Sequence, residues 1–363
     1  MMKSIYGRQI VIAVYLAHQL LMALAGYCAV VFFPGRYDPA RAAEIVTRGL
    51  NRWDAGWYLA IAKEGYTGKT AAFFPFYPLL IHLLSRLGVT PETAGALVAN
   101  GALLGALAVF YRLARLDHSR REAERALWYL AFFPTAFFLS VIYTESLFLL
   151  LVLLSFYLAR RHHWLPAAVT GMLAAATRNT GVFLFLPLAW EYLRATGGKI
   201  KRDGVSLGLI PLGLLIFMFY LKQHLGDPLA FIHAQQYWHR GFGWPWASIW
   251  RALVLMRADY HFSRQLLDLT FTLAGFGLFC LSLTRERASY SIFVFTGLFL
   301  PLFSPAPHAP LYSMPRFVLV LFPLYLTMAR RFRGEGAHNF ILALSAALFF
   351  FLYVIFARGH WVA

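Results

Sequence analysis

Residues 52–78 read RWDAGWYLAIAKEGYTGKTAAFFPFYP. The first half has the pattern of a short amphipathic helix. Trp53, Trp57, Tyr58, Ala60, Ile61 and Ala62 are interrupted by Arg52, Asp54, Lys63 and Glu64. The second half, FFPFYP, is aromatic and punctuated by Pro75 and Pro78. Neither half supplies the roughly 20 apolar residues that a membrane span needs. Long apolar runs nevertheless lie on both sides. The stretch therefore sets an acid among aromatic rings and an arginine at the edge of a membrane.

The flanking runs decide the fold class. The chain has 363 residues, of which 60% are hydrophobic and 13% charged, and its mean hydropathy is +0.59. A soluble domain carries about a quarter charged residues. Apolar runs recur from end to end, so the expectation is an all-α polytopic membrane protein. The spans predicted from apolar runs are 9–33, 92–114, 126–142, 143–160, 165–177, 182–193, 204–222, 264–283, 289–303, 315–330 and 338–357. The first follows Lys3 and Arg8 but is too long for a signal peptide and lacks a small-residue cleavage site. Cys28 and Cys280 both fall inside apolar runs, where packing explains them.

Loop charge arbitrates the topology. The run FFPFYPLLIHLLSRL, 73–87, holds two prolines, a histidine and an arginine, and is barely long enough to cross. If it lies along the membrane instead, the basic loops fall on one side. They are Lys3 and Arg8; Arg115, Arg120, Arg121 and Arg125; Arg160 and Arg161; Arg194, Lys199, Lys201 and Arg202; Arg285 and Arg287; and Arg330, Arg331 and Arg333. By the positive-inside rule that side is cytoplasmic. This predicts about eleven transmembrane helices, a cytoplasmic N-terminus and residues 34–91 outside. It also explains the net charge of +17 by the membrane, without nucleic acid. One integral domain, 1–363, is then expected. It comprises the first span 9–33, the outer loop 34–91, central helices 92–222, a second outer loop 223–263, and C-terminal helices 264–363.

The outer loops collect the chemistry. Two readings fit Asp54: an interfacial acid that pairs with Arg52 or caps the short helix, and a general base. A carboxylate partly withdrawn from water by Trp53, Trp57 and Tyr58 suits removal of a proton from an acceptor hydroxyl. Glu145, in VIYTESLF, stands at a predicted helix start and reads either as a helix-terminal acid or as a site residue. Arg178 and Asn179 interrupt AAATRNTGVF; the arginine must meet an anion, either Glu145 or a phosphate. Arg316, in SMPRFVLVLFP, either snorkels to the membrane edge or grips a lipid phosphate. His233, His239, His261 and His308 share the outer face without metal-ligand spacing. No phosphate-cradling GxxxxGK, GxGxxG or HExxH motif is present. An energy-rich donor would then arrive in the membrane itself.

The 52–78 stretch closely resembles the WDA…FAFFP..P block of the GPI mannosyltransferase II (PIG-V-like) family of GT-C glycosyltransferases. Three more blocks follow in the family's order: FPTAFFLSVIYTESLFLLL (133–151), AAATRNTGVF (174–183) and SMPRFVLVLFPLYL (313–326). The resemblance runs from about residue 9 to 330. It implies a GT-C fold with short juxtamembrane helices in the first outer loop. It also implies an inverting enzyme that takes a sugar, usually mannose, from a polyprenyl-phosphate donor on the extracytoplasmic face. Asp54 takes the role of catalytic base and Arg316 and Arg178 that of donor-phosphate ligands. Arg52, Trp53, Trp57, Tyr58, Glu64, Tyr66, Phe74, Tyr77, Glu145, Asn179, Gln235, Trp238, His239 and His308 are expected around the site. Gly56, Trp57 and Tyr58 stand where the eukaryotic pattern has an acid, a histidine and an aromatic, at positions that would face the acceptor. No second acid stands beside Asp54 to form a DxD metal site, so no cofactor or metal is expected.

The expected partners are a polyprenyl-phosphate sugar, a glycolipid, glycan or protein acceptor, and the bilayer of the inner or plasma membrane. Two alternatives are a related enzyme using another lipid-linked sugar and a lipid or oligosaccharide transporter. The transporter would need a polar path through the helices, whereas the polar residues gather on one face.

Overall fold

The computed structural model describes residues 2–32, 49–258 and 261–363. Residues 34–48 of the expected first outer loop, and Asp259 and Tyr260 of the second, lie outside them. The helices are α1 (Met2–Val31), α2 (Asp54–Glu64), α3 (Phe76–Ser85), α4 (Pro91–Ala114), α5 (Arg120–Ala131), α6 (Glu145–Arg160), α7 (Trp164–Ala175) and α8 (Phe185–Ala195). They continue with α9 (Leu212–Leu225), α10 (Ala230–His233), α11 (Pro245–Arg257), α12 (Phe262–Ser282), α13 (Ala288–Leu302), α14 (Met314–Leu319), α15 (Pro323–Arg331) and α16 (Glu335–Ala357). Among the described residues, five helical stretches are long and apolar enough to cross a membrane: Gly7–Val31, Pro91–Ala114, Arg202–Leu225, Ser263–Ser282 and Glu335–Ala357.

Several expected spans are shorter or broken, each for a local reason. The 126–142 run is not one helix: α5 stops at Ala131, and a 3-10 turn occupies Ala136–Leu139. Pro134 lies at the break, where it cannot donate to a helix and restrains its neighbour. The 315–330 run divides at Pro323 into α14 and α15. The 182–193 run begins as a 3-10 turn, Asn179–Leu184, before α8. Within 73–87 the helix is α3, ten residues. It is about 15 Å long, half the roughly 30 Å of hydrocarbon, too short to cross as a helix on its own.

The chain forms two compact units. The first comprises residues 1–64, 77–153 and 328–362. In it α1 packs against α16, α4 and α5. Polar side chains pin these helices together. His18, fully buried, bonds the Ala131 carbonyl at 2.7 Å and Ser140 Oγ at 3.0 Å. Gln19 donates to Asn100 at 2.7 Å and to Ser140 at 3.1 Å. Around the 132–144 turn, Phe137 and Phe138 each meet Phe356 at 5.3 Å.

The ends of this unit sort by charge. Arg125 donates to the Arg333 carbonyl and pairs with Glu335, while Arg333 reaches Glu122. The 115–125 and 330–335 loops, both expected on the cytoplasmic side, therefore share one end. Arg52 donates to the Ala357 carbonyl at 2.9 Å, which puts the start of the 52–78 stretch at the far end of α16.

The second unit comprises residues 65–76 and 154–327, with Ala363. Its helices approach closely through glycine. A Cβ on Gly213 would stand 2.1 Å from the Met172 carbonyl, and one on Gly181 2.4 Å from that of Ala174. One end is fastened by an ion cluster. Glu191, 4% exposed, accepts from Arg287 at 2.5 Å and Ser289 at 2.8 Å, with Arg160 Nε at 3.5 Å. Arg160 and Arg287 come from two of the expected cytoplasmic loops. Elsewhere in this unit the 240–248 and 303–308 segments meet. Gly243 donates to the Phe303 carbonyl and Ser248 to that of Leu302, which joins the two segments expected on the outer side.

Replacing Glu191 with alanine leaves two largely buried guanidiniums without their anion. The expected loss is about 3–5 kcal/mol, measurable as a lower midpoint of unfolding in detergent. An unchanged midpoint contradicts this role for the cluster.

Candidate active site

In the first unit the site is built around the head of α2. Asp54 is the first residue of the helix, where a carboxylate meets the positive end of the helix dipole. It is half-buried. Trp53 before it has a φ of 52°, a left-handed conformation that is rare without glycine, and its ring packs edge-on against Trp361 at 5.3 Å. The turn is clamped by one hydroxyl. Tyr143 accepts the Asp54 amide N–H at 3.2 Å and donates to the Arg52 carbonyl at 3.1 Å. Beside it, the Ile142 amide donates to the Leu50 carbonyl at 3.1 Å. The 52–78 stretch and the VIYTES segment are thus fastened to each other.

Glu145 begins α6, as its reading as a helix start implies, and is fully buried. Its surroundings are aromatic. Tyr58 and Tyr77 meet edge-to-face at 5.3 Å, Tyr58 Oη lies 3.4 Å from Thr144 Oγ1, and Tyr77 donates to the Gly95 carbonyl at 2.9 Å. Burial, with Tyr58 and then Glu145 alongside, pushes the Tyr77 phenol well above its ordinary value. Tyr77 therefore keeps its proton as a hydrogen-bond donor. The short helices are tied together as well, His82 Nδ1–H donating to the Ala62 carbonyl at 2.9 Å. Trp57 is half-buried; Glu64 is exposed at the end of α2, next to the ion pair of Lys63 and Glu92.

The remaining expected residues lie in the second unit, and they separate into two groups. Tyr66 and Phe74 serve packing. Phe74 meets Phe217 at 5.0 Å and Phe231 at 5.7 Å, and Tyr66 packs on Phe217 while donating to the Phe73 carbonyl at 2.8 Å. Trp238 lies edge-on to Phe73 at 5.6 Å. The Gln235 side chain donates to the Phe231 carbonyl at 3.5 Å. Asn179, His239 and His308 are exposed.

The second group is cationic. Arg316 is 6% exposed and lies in α14, whose entry at Ser313 has a φ of 66°. Arg178 lies over the ring of Phe317, the next residue along, at 5.3 Å. Two arginines not anticipated from sequence face another ring: Arg240 and Arg264 stand 4.8 Å and 4.9 Å from the Tyr312 centroid. Such pairs hold guanidiniums in place over a ring face. Beneath them α12 packs against α14 and carries a buried acid, Asp268, with Gln265 one turn before it. The signal was available in the sequence: an acid inside an apolar helix, four residues after an arginine. Tyr143 gave no such signal, because a tyrosine between Ile142 and Thr144 reads as one more aromatic of the segment.

Residues 20–191 match the profile of the Mannosyltransferase (PIG-V) family. GPI alpha-1,6-mannosyltransferase 2 of Rattus norvegicus is 29% identical over 167 residues, 42% of this chain and 34% of that protein. The Mus musculus protein is 30% identical over 167 residues, with the same shares. GPI mannosyltransferase 2 of Drosophila pseudoobscura pseudoobscura is 27% identical over 202 residues, 48% of this chain and 44% of that protein. The matched parts are thus about a third to under a half of those relatives' lengths. Among solved structures, the apo oligosaccharyltransferase of Archaeoglobus fulgidus is similar with a TM-score of 0.42 at 12% identity. That similarity covers 96% of this chain and 56% of the other. The family match includes Asp54, Tyr143, Glu145 and Arg178 and ends before Arg316.

Tyr143→Phe removes the acceptor of the Asp54 amide and the donor to the Arg52 carbonyl. It is expected to cost about 1–3 kcal/mol, read from unfolding in detergent. A variant as stable as wild type contradicts the clamp.

Proposed function

We propose that the chain, whose residues 20–191 match the Mannosyltransferase (PIG-V) family, is a membrane glycosyltransferase of that family. It moves a sugar, mannose first, from a polyprenyl-phosphate donor to a hydroxyl of a glycolipid, glycan or protein. The observation that carries this reading is the half-buried Asp54 at the head of α2, held by Tyr143 inside the family-matched segment.

The chemistry is a single displacement. Asp54 takes the proton of the acceptor hydroxyl as its oxygen attacks the anomeric carbon. The bond from that carbon to the phosphate oxygen breaks, the anomeric centre inverts, and polyprenyl phosphate leaves. Guanidiniums offered by Arg316 and Arg178 stabilise the charge that grows on the departing phosphate. Proton removal by a carboxylate and charge neutralisation by arginine need no metal, and no second acid neighbours Asp54.

The reading carries a topology and an architecture. The N-terminus and the basic loops lie in the cytoplasm of a multi-pass protein of the inner or plasma membrane. Asp54 works on the extracytoplasmic face, in a single integral domain of the GT-C type. The end-by-end sorting of charge within each unit supports it. In the first, 115–125 and 330–335 share an end; in the second, Arg160 and Arg287 share Glu191.

The test is transfer of labelled mannose from polyprenyl-phosphate mannose in membranes. Asp54→Asn should lower the rate by about 10²–10⁴-fold while the protein stays folded; transfer at the wild-type rate removes Asp54 from the chemistry. Arg316→Ala should raise the KM for the donor more than that for the acceptor, and the reverse moves the phosphate site elsewhere.

A further inference from the structure

On α12 a buried acid has been left without a hydrogen-bond partner. Asp268 is 1% exposed, and neither of its carboxyl oxygens has a hydrogen-bond partner among the described residues. Gln265, fully buried, lies three residues earlier and so on the same helix face. Its Nε2 donates to the His308 carbonyl at 2.9 Å, which fixes the amide, and its Oε1 has no donor. Thr272, four residues later, donates its hydroxyl to the Asp268 backbone carbonyl at 2.7 Å. Three acceptor oxygens on one face of α12 therefore have no hydrogen bond among the described residues. Leaving such groups unsatisfied inside a membrane helix is costly, and residues of this kind mark binding sites.

The surroundings select the donor. The Arg264 and Arg240 charges both act on the Asp268 carboxyl, and both guanidiniums lie against Tyr312. A metal ion or an amine would face two positive charges here. A neutral polyol would not, and adjacent ring hydroxyls of a sugar supply several O–H donors at short spacing. The guanidiniums beside it suit a phosphate.

We propose that Asp268 and Gln265 bind the sugar hydroxyls, and Arg240 and Arg264 the phosphate, of a glycosyl-phosphate head group. The identification of that head group as the one on the lipid donor rests on the function proposed above; the demand for hydroxyl donors does not. Asp268 is thereby a residue of sugar recognition, and the arginines beside Tyr312 join Arg316 and Arg178 as phosphate ligands.

The experiment measures binding by purified full-length protein in nanodiscs to three probes: polyprenyl-phosphate mannose, polyprenyl phosphate without sugar, and mannose 1-phosphate. Asp268→Asn and Gln265→Leu should weaken polyprenyl-phosphate mannose at least tenfold and leave bare polyprenyl phosphate within twofold. Arg240→Gln should weaken both lipids. Mannose 1-phosphate binding that is lost in Asp268→Asn supports the site with a soluble head group. If wild type binds the lipid sugar and both single variants bind it equally well, the site is overturned while the proposed function stands. If wild type binds none of the three probes, the donor reading falls and the site with it.

Discussion

A polar group inside a hydrocarbon slab must find its partner within the protein, and both units are arranged around that constraint. His18, Gln19, Asn100 and Ser140 answer one another across α1, α4 and the 132–144 turn. Glu191 answers Arg160 and Arg287. The backbone of the broken 132–144 segment, whose residues from Pro134 to Glu145 are all buried, is satisfied by tight turns and by the Leu50 carbonyl. Where the constraint is met the helices are locked. At Asp268 and Gln265 three buried oxygens have no hydrogen-bond partner among the described residues.

The same constraint places Asp54. A helix as short as α2 gains little stability from its own hydrogen bonds and needs external anchors. Tyr143, Trp361 and the Ala357 carbonyl supply them from the turn before α6 and from the end of α16. Asp54 is thus held by groups that are distant in sequence, and its position depends on the 132–144 turn being broken rather than helical.

Much of this was legible in the chain. The amphipathic spacing of 52–64 predicts α2, and the structure begins that helix at Asp54. Loop charge predicts that 73–87 does not cross, and α3 within it has only ten residues. Glu145 marks the start of α6. The breaks inside 126–142 and 315–330 were not legible from hydropathy, because a buried turn is as apolar as a helix; only Pro134 and Pro323 hinted at them. Tyr66 and Phe74 entered the expected site through their place in the motif, and the structure gives them packing partners. Asp268 escaped because a single acid barely lowers the hydropathy of a run of twenty apolar residues. What it lacks, a hydrogen-bond partner, is a property of three dimensions.

The central claim is that sugar reaches this protein on a lipid carrier. Purified wild-type protein in nanodiscs, with its membrane acceptors, is offered labelled mannose either as polyprenyl-phosphate mannose or as a nucleotide sugar. The account predicts label in product from the lipid donor and none from the nucleotide. Transfer from the nucleotide sugar, with the lipid donor inert, would contradict it.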